Sequence, residues 1–355
     1  MSAPKVAIIG VDHRHIYSQL AGMLAVGCSC AGWWSEFPES DIENNVIKGF
    51  IKRFPEIERV QDRRRLLDDP SVDLILIADV PCRRAERAIE AMQAGKDVMS
   101  DKPGCTTLAQ LNQLRDVVAH TGRIWSIDFS ERFEVPAVLR AATLVREGAI
   151  GRVVQTIGLG PHRLNLATRP SWFFDPAQYG GILCDIACHQ IDQFLHFTGA
   201  QDAYITAASV GNFANPDHPG LQDFGEVLLH NETVQGYIRV DWYTPDGLPT
   251  WGDGRLFILG TQGYIEVRKY VDIARTPSTD HIYLVNGARC EYIDASREPL
   301  PYFADLAHDV QARTQTAMAQ DHAFKVMELA LRAQASARSI NQPPYHSPTV
   351  PYIRS

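Results

Sequence analysis

No run of about 18 consecutive apolar residues, the length that crosses a bilayer, occurs in the 355 residues of this sequence. The first ten residues, MSAPKVAIIG, lack the basic start, long apolar core and small-residue cleavage site of a secretory signal. Lys and Arg total 34 against 42 Asp and Glu, and they form no concentrated stripe of the kind found on nucleic-acid surfaces. We therefore expect a soluble, cytoplasmic protein with no membrane partner and no nucleic-acid partner.

Cysteine is scarce, and its spacing does not suit metal or disulfide chemistry. The seven cysteines are odd in number, and the closest pairs, Cys28/Cys30 and Cys184/Cys188, do not form CxxC motifs. We expect reduced thiols, most of them buried in the core, and no bound metal.

A chain of 355 residues exceeds what one hydrophobic core usually holds, so we expect two domains. In residues 1–129 short apolar runs alternate with helical stretches, the pattern of a parallel sheet built from βαβ units. The clearest strand is 72–78, whose nearly unbroken apolar character is typical of a strand covered on both faces. These residues predict a doubly wound α/β domain.

From residue 130 onward, predicted strands follow one another with only turns between them. This pattern predicts an α+β domain over 130–355 with one large, mostly antiparallel sheet. Two helices should accompany the sheet, one over 184–197 and a long amphipathic one over 322–339. The Pro-rich stretch 340–355 is expected to be an extended tail.

Gly10 ends the first predicted strand, where a dinucleotide pyrophosphate would meet backbone N–H groups and the positive end of the next helix. The G-x-G-x-x-G fingerprint would place glycines at 12 and 15, but Asp12 and His15 stand there. A modified dinucleotide site and the degenerate turn of an unrelated α/β domain both remain open on these residues alone.

Ser100-Asp101-Lys102-Pro103 directly follows a predicted parallel strand. Ligands of open α/β sheets bind at the carboxyl ends of strands, so an ammonium group there would reach the cleft. Lys102 could then hydrogen-bond a reacting hydroxyl and favour a developing alkoxide during hydride transfer. An ordinary surface lysine in a turn is the alternative.

Asp185 and His189 lie four residues apart in GGILCDIACHQID, so one continuous helix would carry both side chains on the same face. Oxidation of an alcohol needs a base for the hydroxyl proton, and an imidazole titrates in the required range. A neighbouring carboxylate would orient the ring and stabilise its protonated form. A surface Asp/His pair or a core histidine is the alternative. A metal site could also use Asp185, His189 and the thiol of Cys184 or Cys188, but the sequence has no second cluster of ligands tied to this pair.

In this order, the segments resemble the Gfo/Idh/MocA family of oxidoreductases over most of the chain. The family's buried strand is matched by VDLILIA and its AGKHVxxEKP segment by AGKDVMSDKP. Its GGxxxDxxxHxxD helix is matched by GGILCDIACHQID and its GTxG hairpin by LFILGTQGYIE. The resemblance implies an N-terminal Rossmann domain with a doubly wound parallel sheet and a C-terminal domain with a large, mostly antiparallel open sheet. It also implies a homodimer or homotetramer that associates through the open sheet.

The resemblance implies an NAD(P)-dependent dehydrogenase or reductase that acts on CH–OH groups of a sugar, cyclitol or related polyol. Lys102 would be the catalytic lysine, Asp185 the carboxylate that binds substrate and orients the ring, and His189 the proton acceptor. Arg132 and Trp172 would lie near the substrate. The residues implied beside the cofactor are Gly10, Asp12, His13, His15, Ser35, Asp79, Asp101 and Lys102.

Several residues depart from the family pattern on the cofactor side. Asp12 and His15 replace fingerprint glycines, and residues 79–84 lack the usual Thr-Pro and His. Ser35 stands near the place of the ribose-binding acid and Glu36 follows it, so NAD and NADP both remain open. Two other functions also remain open: a redox-inactive ligand-binding or sensor protein on the same fold, and a sugar lyase or glycosidase that retains NAD.

Overall fold

The computed structural model describes residues 3–37, 45–274 and 279–340 of the chain. Two β-sheets, one of five strands and one of nine, form the framework of these residues. Within the same ranges, every helix is too short or too polar to cross a membrane. The tail predicted over 340–355 lies outside the described residues, apart from residue 340.

Five parallel strands form the first sheet: β1 (Lys5–Val11), β2 (Ser29–Trp34), β3 (Leu74–Ala78), β4 (Asp97–Asp101) and β5 (Trp125–Asp128). Their order across the sheet is β2-β1-β3-β4-β5. Every residue of β3, β4 and β5 is buried, as expected of strands covered on both faces. The predicted doubly wound parallel sheet is confirmed, and the strand order reverses between β1 and β3, where such sheets bind ligands.

The described helices of this part are α1 (Ile16–Ala25), α2 (Asn45–Arg53), α3 (Arg64–Leu67), α4 (Pro81–Gln93) and α5 (Leu108–Thr121). Pro81 occupies the first turn of α4, where its missing N–H leaves no hydrogen bond unmade. At α5 the Thr107 side chain accepts a hydrogen bond from the Gln110 N–H, and Gly122 ends the helix in a left-handed conformation. Local sequence therefore accounts for both ends of α5.

The second sheet contains β6 (Val153–Pro161), β7 (Tyr204–Gly211), β8 (Phe224–His230), β9 (Gln235–Asp241), β10 (Arg255–Gly260), β11 (Gly263–Arg268), β12 (His281–Asn286), β13 (Cys290–Asp294) and β14 (Arg338–Ile340). Its order is β13-β12-β11-β10-β6-β9-β8-β7-β14. Within this second sheet, only the β6/β9 and β7/β14 pairs of described strands are parallel. Burial alternates along β8 and β10, so one face packs on helices and the other is open.

The remaining described helices are α6 (Ser130–Phe133), α7 (Pro136–Arg146), α8 (Pro176–Tyr179), α9 (Ile182–Asp185), α10 (Ala187–Thr198), α11 (Tyr302–Ala312) and α12 (Gln320–Ser336). Helices α7, α9, α10 and α12 pack on the inner face of this sheet, whereas α11 packs on α1. Two 3-10 turns, Leu166–Thr168 and Ser171–Phe174, precede α8. The Gln320 side chain bonds both the backbone N–H and the C=O of Trp125 in β5, and the Phe324 ring stacks on the Trp125 indole ring. Helix α12 therefore connects the second sheet to the first.

The helix predicted over 184–197 is wrong as one continuous element, because α9 ends at Asp185 and α10 begins at Ala187. The Asp185 main-chain oxygen accepts a hydrogen bond from Lys102, and the His189 N–H donates to Ile186 instead. The late helix predicted over 322–339 ends at Ser336, and Arg338–Ile340 instead pairs with β7 as a strand. In both cases a long-range contact overrides the local helical pattern.

Candidate active site

A cavity of about 580 Å³ lies between the carboxyl ends of β1, β3 and β4 and the second domain. The first domain contributes the turn after β1, the start of α4 and Lys102. The second domain contributes His162 after β6, the 3-10 turns with Trp172, and Asp185 at the end of α9. The cavity thus occupies the position that the strand order of the parallel sheet favours for a ligand.

Lys102 and Asp185 meet across the two domains. The Lys102 Nζ atom donates to the Asp185 Oδ1 atom and to its main-chain oxygen, each at 3.0 Å. The two side chains are only 5% and 13% exposed. Burial works against both charges, but Asp185 raises the pKa of Lys102 above its ordinary value and Lys102 lowers the pKa of Asp185. Both groups are therefore ionised at neutral pH.

Asp101, fully buried at the end of β4, collects three basic side chains. Its oxygens lie 2.7 Å from His13 Nδ1, 2.8 Å from His15 Nδ1 and 2.9 Å from Arg84 Nη2. Burial opposes the negative charge, but Arg84, His15 and His13 hold the pKa of Asp101 well below its usual range. The carboxylate therefore orients two imidazoles that line the cavity.

The His13 and His15 nitrogens and the Asp101 carboxylate lie within 4.8 Å of one another, the spacing of a potential metal site. Arg84 already occupies the Oδ2 side of this carboxylate, so a cation here would face a buried guanidinium. His15 Nδ1 forms a hydrogen bond with Asp101 Oδ1, and His13 Nδ1 lies beside Oδ2 as an ion-pair contact. The cluster is thus organised to hold imidazole rings, and positive charge is already present beside it.

The turn after β1 is tight and uses its own backbone N–H groups. Gly10 has a φ of +84°, and a Cβ atom there would lie 2.4 Å from the Asp79 Cβ atom, so only glycine fits. The N–H groups of Asp12 and His13 donate to the Ala78 oxygen at 2.8 and 3.1 Å. In a glycine-rich turn such groups would face the pyrophosphate of a dinucleotide.

Four predicted cofactor residues, Gly10, Ser35, Asp79 and Asp101, are not among the described residues that line the cavity. Ser35 is buried directly after β2, and Asp79 is buried after β3. Burial raises the pKa of Asp79, although Arg87, 3.0 Å away, opposes the shift. Glu36 accepts hydrogen bonds from Arg83 at 2.6 Å and from Arg87 at 3.0 Å.

His189 lies inside α10, only 1% exposed, and is not one of the described residues that line the cavity. Burial lowers its pKa to about 3, and the nearby Glu131 carboxylate partly opposes this shift. Its Nδ1 atom has no hydrogen-bond partner among the described residues. Asp185 bonds Lys102 instead of the His189 ring, and the break between α9 and α10 lies between the two residues.

His162, for which we predicted no role, lies on the cavity wall directly after β6. Its Nδ1 atom lies 3.0 Å from the Gly160 oxygen, and its ring packs against Trp242 and Trp251. Burial lowers its pKa to about 4, although Glu131, 3.8 Å from Nε2, opposes the shift. His162 is thus a neutral imidazole at neutral pH. A single histidine at a strand end carries no sequence signal that would have identified it.

The two residues predicted near the substrate occupy different environments. Trp172 lies in the second 3-10 turn and lines the cavity. Arg132 is buried away from the described cavity wall and donates two hydrogen bonds of 2.7 Å to Asp192. The same carboxylate lies 2.7 Å from His322 Nε2, so Arg132 belongs to an ion-pair cluster of the interior.

The sequence and the fold of this chain are similar to those of known proteins. Residues 43–129 match the oxidoreductase family with an NAD-binding Rossmann fold, and residues 138–266 match the Gfo/Idh/MocA C-terminal domain. A crystal structure from Erwinia carotovora atroseptica, provisionally named an oxidoreductase, is 44% identical with a TM-score of 0.91. The match covers 95% of this chain and 99% of that one.

Curated relatives are more distant and match over shorter segments. Levoglucosan dehydrogenase of Pseudarthrobacter phenanthrenivorans is 30% identical over 54% of this chain and 49% of its own length. The NAD(+)-dependent scyllo-inositol 2-dehydrogenase of Bacillus subtilis is 25% identical over 58% of each chain. The chain thus spans about half the length of the curated relatives that it matches. Because both family domains match and a relative of 44% identity covers nearly the whole chain, this protein belongs to the Gfo/Idh/MocA family of oxidoreductases.

Proposed function

We propose that this protein is an NAD(P)-dependent dehydrogenase or reductase that transfers hydride between nicotinamide and a hydroxyl-bearing or keto carbon of a sugar, cyclitol or related polyol. The observation that carries the proposal is the Lys102–Asp185 pair on the wall of a cavity between the two domains. The named activities of levoglucosan dehydrogenase and scyllo-inositol 2-dehydrogenase support the substrate class.

The chain's residues fit a dinucleotide by charge. His13, Arg14 and His15 line the cavity beside the turn after β1, and Asp101 orients the two imidazoles. The Arg14 guanidinium would bind the diphosphate in place of the backbone N–H groups that the turn uses internally. Burial lowers the pKa of His13 to about 3, so that ring is neutral at neutral pH. The bound nicotinamide would supply the hydride acceptor or donor. Both NAD and NADP remain within the proposal. Ser35 is uncharged and the Glu36 carboxylate is paired with Arg83 and Arg87, so neither side chain selects between a ribose hydroxyl and a 2′-phosphate.

Lys102 would bind the reacting oxygen of the substrate. Its ammonium group is held in the charged form by Asp185, so it can donate a hydrogen bond and stabilise negative charge that develops on that oxygen. The Asp185 carboxylate can accept a hydrogen bond from a neighbouring hydroxyl. Together the two side chains would orient a vicinal diol, the functional group that sugars and cyclitols share.

Two imidazoles are candidates for the proton acceptor. We assign this role to His189, as the resemblance implies, and His162 is the alternative because it lies on the cavity wall. Both rings are neutral at neutral pH, since burial lowers their pKa values. His189→Asn and His162→Asn should separate the two. The acceptor's replacement lowers kcat throughout the pH range in which the wild-type ring is neutral and removes the acidic limb of the profile, whereas the other replacement leaves the pH profile unchanged.

The test is turnover of purified protein with NAD+ and NADP+ against a panel of inositols and aldoses. Lys102→Met should lower kcat/KM by at least about 1000-fold, because it removes the donor to the reacting oxygen. Cofactor affinity should change little. Lys52→Met, on the exposed side of α2, is the matched control and should retain full activity. Full activity in Lys102→Met would refute the mechanism.

One observation favours a second candidate, a redox-inactive binding or sensor protein on the same fold. The N–H groups of Asp12 and His13 are bonded to Ala78, so the turn offers fewer backbone donors to a diphosphate than a glycine-rich turn does. Calorimetric titration with NAD+, NADP+ and their reduced forms distinguishes the two functions. Absence of binding for all four would select the sensor.

We also propose a homodimer or homotetramer that assembles through the open face of the second sheet. Large apolar residues are exposed along its strands, among them Tyr204, Leu228, Leu259 and Tyr264. Light scattering should give two or four chains, and Leu228→Lys should shift the mass toward the monomer. A cytoplasmic location is proposed as well, because all seven cysteines are free thiols, as is usual in a reducing compartment.

A further inference from the structure

We propose that the polyol substrate carries an anionic group, a carboxylate or a phosphate, and that Arg169 binds it from the second-domain wall of the cavity. The inference rests on the proposed function, because it specifies the chemical class of that same substrate. It starts from a guanidinium group that the fold orients toward the cavity but does not neutralise.

Arg169 directly follows the first 3-10 turn and is half-buried. Its Nε atom donates to the Leu164 oxygen at 2.7 Å and its Nη2 atom to the Arg163 oxygen at 3.3 Å. The Arg169 Cζ atom lies 4.3 Å from the ring centre of Phe173 and 4.7 Å from that of Trp242. These contacts fix the group in place, while Nη1 makes no hydrogen bond to the part of the chain that the structure describes.

Most other cationic groups on the cavity wall already have carboxylate partners. These pairs are Arg83–Glu36, Arg84–Asp101, Lys102–Asp185 and Arg163–Asp246. Arg169 forms no such pair within residues 3–37, 45–274 and 279–340. A charged group that the fold buries in part without a counter-ion is costly unless a ligand supplies one.

The charges around Arg169 support an anionic ligand. Burial lowers its pKa to about 10, Asp185 opposes this shift, and Arg14 on the opposite wall adds to it. Two guanidinium groups thus repel each other across the cavity. An anion bound to Arg169 would offset both the burial and the repulsion, whereas a neutral hydroxyl would offset neither.

The substrate, rather than the cofactor, is the better source of this anion. Arg169 belongs to the second domain and interacts with Asp185, which lies at the proposed reaction site. The diphosphate would bind beside the turn after β1, where Arg14 and the imidazoles of His13 and His15 are available. A planar guanidinium with a free Nη1 edge suits the two oxygens of a carboxylate or phosphate.

The experiment compares matched pairs of charged and neutral sugars. Hexuronates, aldonates and hexose 6-phosphates are tested against the corresponding hexoses and hexitols, with NAD+ and NADP+, and the uronates and phosphates distinguish the two anionic groups. We expect kcat/KM to favour one charged class by about 10- to 100-fold, the range of a charge-assisted hydrogen bond. Arg169→Gln should abolish this preference, because the KM of the charged class rises toward that of the neutral sugars.

Arg289→Gln, which alters an exposed arginine between β12 and β13, is the matched control and should keep the preference. Binding is measured independently of turnover, by calorimetry of the same sugars and by fluorescence titration of NADH and NADPH. Equal or better use of neutral sugars by the wild type would overturn the inference and leave the proposed function intact. The inference would also be overturned if Arg169→Gln bound the cofactor more weakly but kept the same sugar preference. That result would show that the guanidinium binds the cofactor and not the substrate.

If no sugar turns over, the proposed function fails, and calorimetry alone decides the inference. Binding of a charged sugar that Arg169→Gln weakens about 10-fold would support it. Absence of binding by every charged class would refute it. The two failures are therefore distinguishable.

Discussion

The Lys102 Nζ atom lies 3.0 Å from the Asp185 Oδ1 atom, so an ion pair joins the end of β4 in the first domain to the end of α9 in the second. The same ammonium group accounts for the helix break, because it takes the Asp185 main-chain oxygen that a continuous helix would use. The residues proposed to bind the reacting oxygen thus also determine the local backbone. Stability and activity at this site should be coupled.

Replacement of either partner of this pair should destabilise the protein strongly. Lys102→Met leaves a buried carboxylate without a counter-ion, and Asp185→Asn leaves a buried ammonium, so each should cost about 3–5 kcal/mol in the free energy of unfolding. The double variant should cost less than the two single variants together, by about 1–3 kcal/mol. Urea unfolding of the four proteins measures this coupling. Additive losses would mean that the pair does not form in solution.

Gly10→Ala should destabilise the first domain. The new Cβ atom would lie 2.4 Å from the Asp79 Cβ atom and 2.6 Å from its Cα atom, so backbone must move, and the φ of +84° adds strain. We expect a loss of more than about 2 kcal/mol, measured by urea unfolding. Gly95→Ala is the control, since Gly95 has a φ of +80° but no atom within 4 Å of the added carbon. It should cost only about 1–2 kcal/mol, and equal losses would rule out the steric argument.

The parts of the fold that follow from local sequence could be predicted. The buried strand Leu74–Ala78 is wholly apolar, and α5 carries both a threonine cap and a terminal glycine, so their patterns determine their structure directly. The edge strand Cys290–Asp294 was not predicted, because none of its residues is buried and its sequence lacks a regular apolar alternation.

The arrangement of the candidate site was harder to predict, because its contacts come from distant parts of the chain. Asp101 could be named from its position after a strand, but nothing local indicates that His13, His15 and Arg84 converge on it. The break at Ile186 was also hidden, since isoleucine is compatible with a helix and the hydrogen bond that interrupts it comes from β4. Sequence periodicity carries no information about such long-range contacts.

Asp101→Asn should weaken cofactor binding. The amide keeps the size of the side chain but loses the charge that orients the two imidazoles and neutralises Arg84. We expect the Kd for NADH and NADPH, measured by fluorescence titration, to rise at least about 10-fold.

Asp97→Asn is a suitable control for this variant, because Asp97 is an equally buried carboxylate at the opposite end of β4. It accepts a hydrogen bond from the Ile124 N–H at 2.8 Å and contacts Arg313, and it is not among the described residues of the cavity wall. Its replacement should lower stability without changing the cofactor Kd. The same Kd change in both variants would assign the effect to general destabilisation.

Acidification below about pH 6.5 should destabilise the protein through its buried imidazoles. Burial lowers the pKa of His189 to about 3 and that of His162 to about 4, whereas a histidine in the unfolded chain titrates near 6.5. Between these values the unfolded chain binds protons that the folded chain does not. The free energy of unfolding therefore falls as the pH decreases through this window.

His189→Asn should make that dependence shallower by up to about 1.4 kcal/mol per pH unit between pH 6 and 5, because one proton no longer distinguishes the two states. The Lys269 ammonium holds the pKa of Glu131 at about 2 against the effect of burial. Glu131 therefore contributes to the pH dependence of the unfolding free energy only at lower pH, where it begins to protonate in the unfolded chain. His120→Asn, at an exposed position of α5, should leave the slope unchanged. Urea unfolding at half-unit pH steps gives the three slopes, and an unaltered slope in His189→Asn would show that the folded protein already carries a proton on that ring.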